Sequence, residues 1–233
     1  MTIKVKFLGH ATFEIVSLEG STIIIDPWYD NNPANPYKAE DVKEADVVLV
    51  THYHQDHVED AARIVKQTGA TFIAQPEVAS KLVEEEGLPR ENVIHQIGMN
   101  SGGSVFINGI KFTMVQAVHS SEAGEPCGYI ISLENKQMIY HAGDTGIFSS
   151  MELLGEIYGI NLALLPIGNV FTMGPVQASF ALNLLKPQAV IPMHYKTFPF
   201  LVQDAGEFKR LARLEDPEVE IAEMEPGDIY ELK

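Results

Sequence analysis

Basic residues are scarce in this chain of 233 residues. Lysine and arginine together number 16 against 32 aspartates and glutamates, which gives a formal net charge of −16 at pH 7. Broad binding to nucleic acids or to anionic membranes needs a basic face, because such partners carry a dense negative charge. The acidic excess therefore predicts a small-molecule partner, with no nucleic acid and no membrane.

Cysteine and long apolar runs are also scarce. Cys127 is the only cysteine, which excludes an internal disulfide framework and fits a reducing compartment. No stretch of about 18 apolar residues is available for a membrane span. The opening MTIKVKFLGH has neither the long apolar segment nor the cleavage site of a signal peptide. These absences predict a cytoplasmic protein and leave open whether it forms a homo-oligomer.

The composition that remains is that of a globular protein, with 45% apolar and 21% charged residues. The length allows a sizeable core, and without a clear linker or repeat we expect one domain over residues 1–233. The alternation in IKVKFLG and the β-branched run Thr22–Ile25 predict strands, and residues 47–50 predict a strand covered on both faces. Helical patterns follow at residues 58–67, Pro76–Glu86 and Pro175–Leu185.

The order of these segments predicts the architecture. Each half of the chain begins with strands and continues with alternating strands and helices. That order suits two mixed sheets packed face to face with helices on both outer sides, an α/β (α+β) fold of the αββα sandwich type. Periodicity alone does not distinguish this fold from a generic α/β domain.

Residues 51–57, with the sequence THYHQDH, are the most informative segment. Directly after a predicted buried strand, four side chains that can bind metal fall within six residues: His52, His54, Asp56 and His57. Imidazole nitrogens and carboxylate oxygens are the ligands of catalytic zinc sites. Residues two apart in an extended segment point to the same side, so His52 and His54 can bind one ion together. Asp56 and His57, where the chain turns into a helix, can face a second ion.

A dinuclear site needs further ligands, and three other residues have suitable positions. His119 follows the run KFTMVQAV, Asp144 lies in HAGDTG, and His194 lies in VIPMHYKTF. All three come at the ends of predicted strands, where the active sites of sheet proteins collect. The sequence therefore predicts that they join residues 51–57 in one metal site.

These motifs resemble the metallo-β-lactamase superfamily, with its His-x-His-x-Asp-His motif, a later histidine, a bridging aspartate and a last histidine. The strings FLGHATFEI, YHAGDTGIF, LLPIGNVFTMGP and VIPMHYKTFPF are similar to one branch, small metal-dependent hydrolases without an established substrate. The resemblance covers nearly the whole chain and implies a four-layer αββα sandwich of the metallo-β-lactamase type, with the site at one open edge. It implies that the first metal is held by His52, His54 and His119, the second by Asp56, His57 and His194, and both by Asp144.

This ligand set predicts a metal-dependent hydrolase. Two divalent ions, set against the negative charges of Asp56 and Asp144, leave a weakly positive site where bound water is available as hydroxide at neutral pH. That hydroxide would attack an ester, lactone, amide or phosphodiester of a small substrate. Zinc is the default ion, and manganese and iron stay open because these ligands accept all three.

Three alternative functions stay open at this point. An RNA-processing phosphodiesterase shares the fold, and the net charge of −16 argues against it. A non-catalytic metal-binding or sensor protein could use the same ligands, and only a test of hydrolysis separates it from an enzyme. An iron redox enzyme is disfavoured by His54, because redox members of the superfamily resemble one another in having an acidic residue at that place.

The remaining histidines have different predicted roles. His10, in GHAT, is a candidate catalytic residue that donates a proton or binds substrate, and its alternative is a structural turn residue beside the site. Asp56 is assigned a catalytic role besides metal binding. His141 is predicted to orient a ligand, since seven ligands are already assigned. His95 is predicted to lie on the surface.

Two further residues are candidates for substrate binding. Trp28, the only tryptophan, opens a loop of residues 28–37 that is rich in proline and asparagine, and its exposed aromatic rings are expected to border the pocket. The alternative is a loop folded onto the protein itself or a subunit contact. Lys196 follows His194 by two residues, and as a lone ammonium it is expected to favour a substrate with one anionic group. Its alternative is a solvated surface lysine.

Overall fold

The computed structural model describes residues 2–232, in which thirteen strands form two sheets. The strands are β1 (Ile3–Phe7), β2 (Phe13–Val16), β3 (Thr22–Ile25), β4 (Val47–Leu49), β5 (Thr71–Ile73), β6 (Ser104–Ile107), β7 (Ile110–Gln116), β8 (Cys127–Ser132), β9 (Met138–His141), β10 (Leu162–Pro166), β11 (Ala189–Met193), β12 (Glu220–Ile221) and β13 (Ile229–Leu232). The α-helices are α1 (Gln55–Val58), α2 (Ala61–Thr68), α3 (Pro76–Glu86), α4 (Met151–Tyr158), α5 (Pro175–Leu185) and α6 (Gly206–Glu215). Short 3₁₀ segments lie at Ala39–Asp41, Arg90–Asn92 and Ile94–Gln96.

The two sheets differ in strand number but follow the same connection rule. The first has six strands in the order β13-β1-β2-β3-β4-β5, and the second has seven in the order β12-β11-β10-β9-β8-β7-β6. Strands joined by short turns, such as β1 with β2 and β7 with β8, run antiparallel. β4 with β5 and β10 with β11 run parallel, because the helices between them supply the long crossover that parallel neighbours need.

One apolar core lies between the sheets, and two more lie between each sheet and its helices. In β3, Ile23 and Ile25 point into the central core, whereas Ile24 packs with the helices outside. In β10, Leu164 faces the central core and Leu165 the outer one. This alternation follows from the two-residue period of a strand. The layers are thus helices, sheet, sheet and helices, which confirms the predicted αββα fold.

Most of the predicted elements are confirmed, and the helices Pro76–Glu86 and Pro175–Leu185 agree at both ends. Proline occupies the first turn of each, where its missing amide hydrogen is not needed. Gly87 ends the former helix in the left-handed conformation, with a φ of 65°. No helix of the described residues is long and apolar enough to cross a membrane.

The helix predicted over residues 58–67 is confirmed from Ala61 on and ends before Gly69 as expected, but its start is wrong. α1 ends at Val58, and α2 begins only after Asp60, whose φ of −100° and ψ of 3° leave the helical region. The Asp60 carboxylate accepts hydrogen bonds from the backbone amides of Tyr29 and Asp30, at 2.7 and 3.1 Å. The interruption therefore attaches the loop after β3 to the segment that carries the histidine motif.

The strand ends of both sheets meet at one edge of the sandwich. In the first sheet, β3 ends before Asp26 and β4 leads into residues 51–57. In the second sheet, β7, β9 and β11 lead into the loops that carry His119, Asp144 and His194. Because the carboxyl ends of parallel strands lie at the same edge, residues far apart in the chain come together there.

Candidate metal centre

The predicted metal-binding side chains meet in one place, with the ligand atoms of each set within 4.8 Å of one another. The first set, called the histidine group here, consists of His52, His54 and His119. The second, called the mixed group, consists of His10, Asp56, His57 and His194. A third set links the two groups and consists of His52, His57 and Asp144. All seven predicted ligands are therefore brought together, and His10 joins them.

Asp144 lies between the two groups. Its Oδ2 atom is 3.5 Å from His119 Nε2, 3.4 Å from His57 Nε2 and 3.0 Å from His194 Nε2. The preceding Gly143 has a φ of 62°, and a Cβ there would lie 2.6 Å from the carbonyl oxygen of Cys127. The glycine of the HAGDTG motif thus allows the close turn that aims one carboxylate at both groups.

The histidine group is built from one extended segment and one loop. His52 Nε2 lies 2.9 Å from His54 Nδ1, as expected for residues two apart on the same side of an extended chain. His119 comes from the loop after β7, and its ring centroid lies 5.0 Å from that of His52. Thr51 Oγ1, 3.0 Å from His52 Nδ1, holds the other side of the His52 ring.

The mixed group combines a carboxylate with imidazoles from distant parts of the chain. Asp56 Oδ2 lies 3.0 Å from His10 Nε2 and 4.0 Å from the Nε2 atoms of both His57 and His194. The Asp56 side chain is 29% exposed, whereas that of Asp144 is 3% exposed. Asp56 is therefore the more accessible of the two carboxylates.

Asp26 is a buried residue of the site that the sequence analysis missed. Its Oδ2 atom lies 2.8 Å from His57 Nδ1 and accepts a hydrogen bond from Thr51 Oγ1 at 2.7 Å. Its Oδ1 atom accepts a hydrogen bond from the Thr51 amide at 2.8 Å. Asp26 thereby orients His57 directly and His52 through Thr51, as carboxylates behind metal-binding histidines do. Its place directly after a β-branched strand, like that of the ligands, was the available signal.

The carboxylates of the centre favour positive charge between them. Burial opposes ionisation of Asp144, but His194 and His57 outweigh it and hold the pKa of this carboxyl well below its usual value. Burial also opposes protonation of His57, but Asp144, Asp26 and Asp56 outweigh it and hold the pKa of the imidazole well above its usual value. A divalent cation would satisfy the same negative charges.

Several buried polar atoms of the centre lack a hydrogen-bond partner. His57 Nε2, His194 Nε2 and Asp144 Oδ1 are such atoms, although His194 Nε2 lies only 3.0 Å from Asp144 Oδ2. Buried polar atoms are normally paired, because leaving one unpaired costs free energy. Imidazole nitrogens and a carboxylate oxygen around one space are the donors that divalent zinc takes. The residues therefore fit a divalent metal.

Three residues of the site have a backbone conformation that is unusual outside glycine. φ is 58° at His10, 47° at Asp26 and 55° at His194. Such conformations cost about 1 kcal/mol or more and gather at functional sites. Gly168 passes directly over His194, since a Cβ there would lie 2.0 Å from the His194 carbonyl oxygen. Local strain and close packing thus fix the last predicted ligand.

A family model described as the beta-lactamase superfamily domain matches residues 21–195. The chain belongs to the metallo-β-lactamase superfamily. A UPF0173 metal-dependent hydrolase of Nitratidesulfovibrio vulgaris is 46% identical over 232 residues, which cover 100% of this chain and 96% of that relative. One from Thermococcus onnurineus is 48% identical over 236 residues, covering 99% of this chain and 100% of the relative. The chain is thus a member of the metal-dependent hydrolases, as its motifs predict.

A solved structure supports the same assignment. Igni18, described as a novel metallo hydrolase from the hyperthermophilic archaeon Ignicoccus hospitalis, superimposes with a TM-score of 0.87. It is 38% identical in sequence, and the match covers 100% of both chains. The two proteins therefore share the αββα fold over the full length of both chains.

In this metallo-β-lactamase member, the contacts of His10 are compatible with both predicted roles, a catalytic residue and a structural turn residue. Its Nε2 lies 3.0 Å from Asp56 Oδ2 and its Nδ1 3.0 Å from Thr197 Oγ1, so the ring can hold a proton in the site. Burial, followed by His194, lowers the pKa of His10 to about 4, which leaves the imidazole uncharged at neutral pH. Its backbone carbonyl also accepts a hydrogen bond from His194 N at 2.8 Å, as a structural turn residue would.

The expectation of exposed aromatic rings in loop 28–37 is wrong for Trp28 and Tyr29, which are buried. Trp28 packs edge-on at 5.2 Å from His10 and stacks at 5.9 Å on Phe198, because the loop folds back against the site. The loop still borders a cavity of about 300 Å³ beside His10. Its contributions to that cavity are Pro33 and Ala34. A role of Trp28 in substrate binding stays a prediction.

Lys196 lines the same cavity, but the expectation of a lone ammonium is wrong. Its Nζ atom lies 2.8 and 3.1 Å from the two carboxylate oxygens of Glu225, on the loop before β13. The pair is 29 residues apart in the chain, so it forms only through the fold. Lys196 therefore presents an ion pair rather than a free positive charge, and its role in substrate binding stays a prediction.

The last two histidines lie outside both groups. His141 is buried, and its Nε2 donates to the Ala11 carbonyl at 3.0 Å while its Nδ1 accepts from the Gly143 amide at 3.1 Å. It thus holds the backbone directly before Asp144, which is an indirect form of the predicted orienting role. His95 is exposed, and its predicted surface position is confirmed.

Proposed function

We propose that the protein is a dinuclear metal hydrolase that cleaves an ester, lactone, amide or phosphodiester bond of a small substrate. The observation that carries this proposal is the position of Asp144, whose Oδ2 atom lies within 3.5 Å of imidazoles from both donor groups. One carboxylate shared by two groups of donors is suited to two cations rather than one. The imidazole and carboxylate donors favour zinc, and they accept manganese or iron as well.

Each group has an assigned part in the proposal. In the histidine group, His52, His54 and His119 hold one cation. In the mixed group, Asp56, His57 and His194 hold the other. Divalent cations bound there supply a hydroxide nucleophile at neutral pH and polarise a substrate oxygen. The aspartates offset only part of the positive charge of two such ions.

Asp56 and His10 are the residues that we assign to proton transfer. The uncharged His10 can donate a hydrogen bond from its Nε2–H to Asp56 Oδ2 over 3.0 Å while keeping its own proton, with Thr197 Oγ1 on the opposite nitrogen. Because Asp56 is partly exposed, a proton from the reaction can reach this pair and leave again. His10 thereby supports proton uptake and return by Asp56 rather than serving as a sixth imidazole ligand.

Metal content and hydrolysis test the proposal together. Protein freed of metal with a chelator, given excess zinc or manganese and then desalted, is expected to retain about two ions per chain. The loaded protein should hydrolyse members of a panel of esters, lactones and phosphodiesters, and the metal-free protein should not. Two retained ions without activity on any member would instead favour the non-catalytic metal-binding protein. Retention of no ion would contradict the proposal.

A further inference from the structure

Aromatic rings form a continuous series from the surface to the metal centre. Phe171 and Phe200 are exposed, at 57% and 56%, and their ring centroids lie 5.8 Å apart. Phe200 stacks at 5.4 Å on Phe198, and Phe198 stacks at 5.9 Å on the buried Trp28. The two inner rings contact His10, at centroid distances of 5.8 and 5.2 Å. We call these four aromatic residues the aromatic series.

The loop that carries Phe198 and Phe200 is held by hydrogen bonds at its base and along its length. Lys196 N donates to the carbonyl of Val202 at 2.7 Å, and Val202 N donates to the carbonyl of Gly168 at 3.0 Å. The side-chain amide of Gln203 donates to the Phe198 carbonyl at 2.8 Å. A loop held in this way loses little conformational entropy when a ligand packs on it. Its rings are therefore a preorganised surface.

The loop that presents Phe171 is strained. Val170 has a φ of 59°, a conformation that β-branched residues rarely adopt. Phe171 N donates to the Asn169 carbonyl across it at 2.6 Å, which closes a γ-turn with a positive central φ, the strained form. Backbone strain of this kind persists where the surrounding structure enforces it, and it gathers at ligand-binding sites. Here the turn holds two apolar side chains, Val170 and Phe171, in solvent.

The charges near the aromatic series favour an apolar ligand group over an anionic one. Residues 166–175 contain no lysine or arginine, and residues 193–201 contain only Lys196. That ammonium is already paired with Glu225. Contiguous exposed apolar side chains mark binding surfaces, and aromatic rings add a preference for stacked or edge-on aromatic partners.

We propose that the aromatic series is a substrate subsite for an aromatic group attached to the bond that is cleaved. This inference rests on the proposed function, because the scissile bond at the metal centre determines where the attached group lies. The substrate is the occupant, rather than a second copy of the chain, since the series continues by ring contacts to His10 instead of staying on the surface. Phe171 and Phe200 form its outer end, and Phe198 the inner part.

Equilibrium binding of two simple acids tests this subsite without requiring turnover. Phenylacetate and acetate share a carboxylate that metal ions bind, and they differ only in the phenyl group. Their dissociation constants for zinc-loaded protein can be measured by calorimetry and by the fluorescence of Trp28, the only tryptophan, which stacks on Phe198. Phenylacetate is expected to bind about tenfold more tightly, because its ring is buried against aromatic side chains.

The variants Phe200→Ala and Phe171→Ala are expected to reduce this preference to about twofold or less, with Phe200→Leu between them and the wild type. Both positions are more than half exposed, so the variants should fold, which zinc content and circular dichroism verify. Phe106→Ala is the matched control, because Phe106 is a phenylalanine with 71% exposure on the edge strand β6. The control should keep the full preference and the hydrolytic activity.

The possible results separate the subsite from the proposed function. A wild-type preference below about twofold, or an equal loss in Phe106→Ala, overturns the subsite. Hydrolysis of panel esters with an unchanged phenyl preference in both Phe variants also overturns it, while leaving the proposed function intact. A preference that depends on Phe200 and Phe171, in zinc-loaded protein that hydrolyses nothing, would show that the aromatic series binds a phenyl group but would overturn its role as a substrate subsite together with the proposed function. If sedimentation shows that Phe200→Ala dissociates an oligomer, the surface is a contact between copies and the proposal is wrong.

Discussion

The histidine group and the mixed group are assembled in different ways. The histidine group takes two of its three members from one extended stretch of three residues, and all its donors are imidazoles. The mixed group gathers its members from the turn before β2, the start of α1 and the end of β11. Its carboxylate and imidazoles are supported by further buried hydrogen bonds, including the one from His57 to Asp26. Two members of the first group are thus positioned locally, and His119 joins them once the sheets have packed, whereas the second group draws on three distant segments.

The largest effect is expected from removing Asp144, the residue that the two groups share. Asp144→Ala deletes the carboxylate that lies within 3.5 Å of His57, His119 and His194. Because both groups lose a donor, bound metal is expected to fall from about two ions per chain to less than about one, with loss of hydrolysis. Metal analysis after loading and desalting measures this change.

Asp204→Ala is a suitable control for that experiment. Asp204 is an exposed aspartate whose carboxylate accepts a hydrogen bond from the Gly206 amide at 2.8 Å, at the start of α6 and outside both groups. It should retain about two ions. Full metal retention in Asp144→Ala would show that the two groups do not share this carboxylate.

Removing one imidazole at a time should separate the groups. His119→Ala affects the histidine group and His194→Ala the mixed group, so each variant should retain about one tightly bound ion. His95→Ala, which removes an exposed histidine, should keep about two. Metal titration of the three variants checks this expectation. If either ligand variant lost both ions completely, the two groups would not be separable.

The histidine group was the easier part to predict because its information is local. The spacing of His52 and His54 places them on one side of an extended chain, and the structure has their nitrogens 2.9 Å apart. His119, Asp144 and His194 could be placed at strand ends, but their distances from one another depend on sheet packing. The strands and helices were predictable for a similar reason, since each has its own periodicity, whereas the four layers followed from the order of these elements and from the family resemblance.

The role of Asp26 could not be predicted beyond its place at a strand end, because that role depends on strand register. Asp26-Pro27 reads as the end of a strand, and nothing in its neighbours indicates a partner. The parallel pairing of β3 with β4 sets Ile25 opposite Leu49, which brings Asp26 beside Thr51. The ion pair of Lys196 with Glu225 could not be predicted for a similar reason, since the two residues meet only in the folded chain.

Asp26→Asn should have a smaller effect than the loss of a ligand. The change keeps the size of the side chain but removes the charge that orients His57 and Thr51. Both ions should still bind at saturation, with the affinity for one lowered about 10- to 100-fold. Thr51→Val, which affects His52 but leaves the Asp26 to His57 contact in place, should cost less. Competition with a zinc-binding dye measures both affinities, and equal affinities in wild type and Asp26→Asn would contradict the orienting role.

The smallest effect is expected at Lys196, on the rim rather than in either group. Its side chain and that of Glu225 are 55% and 68% exposed, and such surface pairs contribute less than about 1 kcal/mol to stability. Because Glu225 already offsets the ammonium, Lys196→Ala should change the ratio of kcat/KM for anionic and neutral substrates by less than about twofold. Glu225→Gln frees the ammonium and should raise the preference for anionic substrates by a few-fold, about two to five. Measuring kcat/KM of each variant on an anionic substrate and on its neutral analogue, with metal content verified, tests both expectations. A selective loss on anionic substrates in Lys196→Ala would show that the paired lysine still recognises charge.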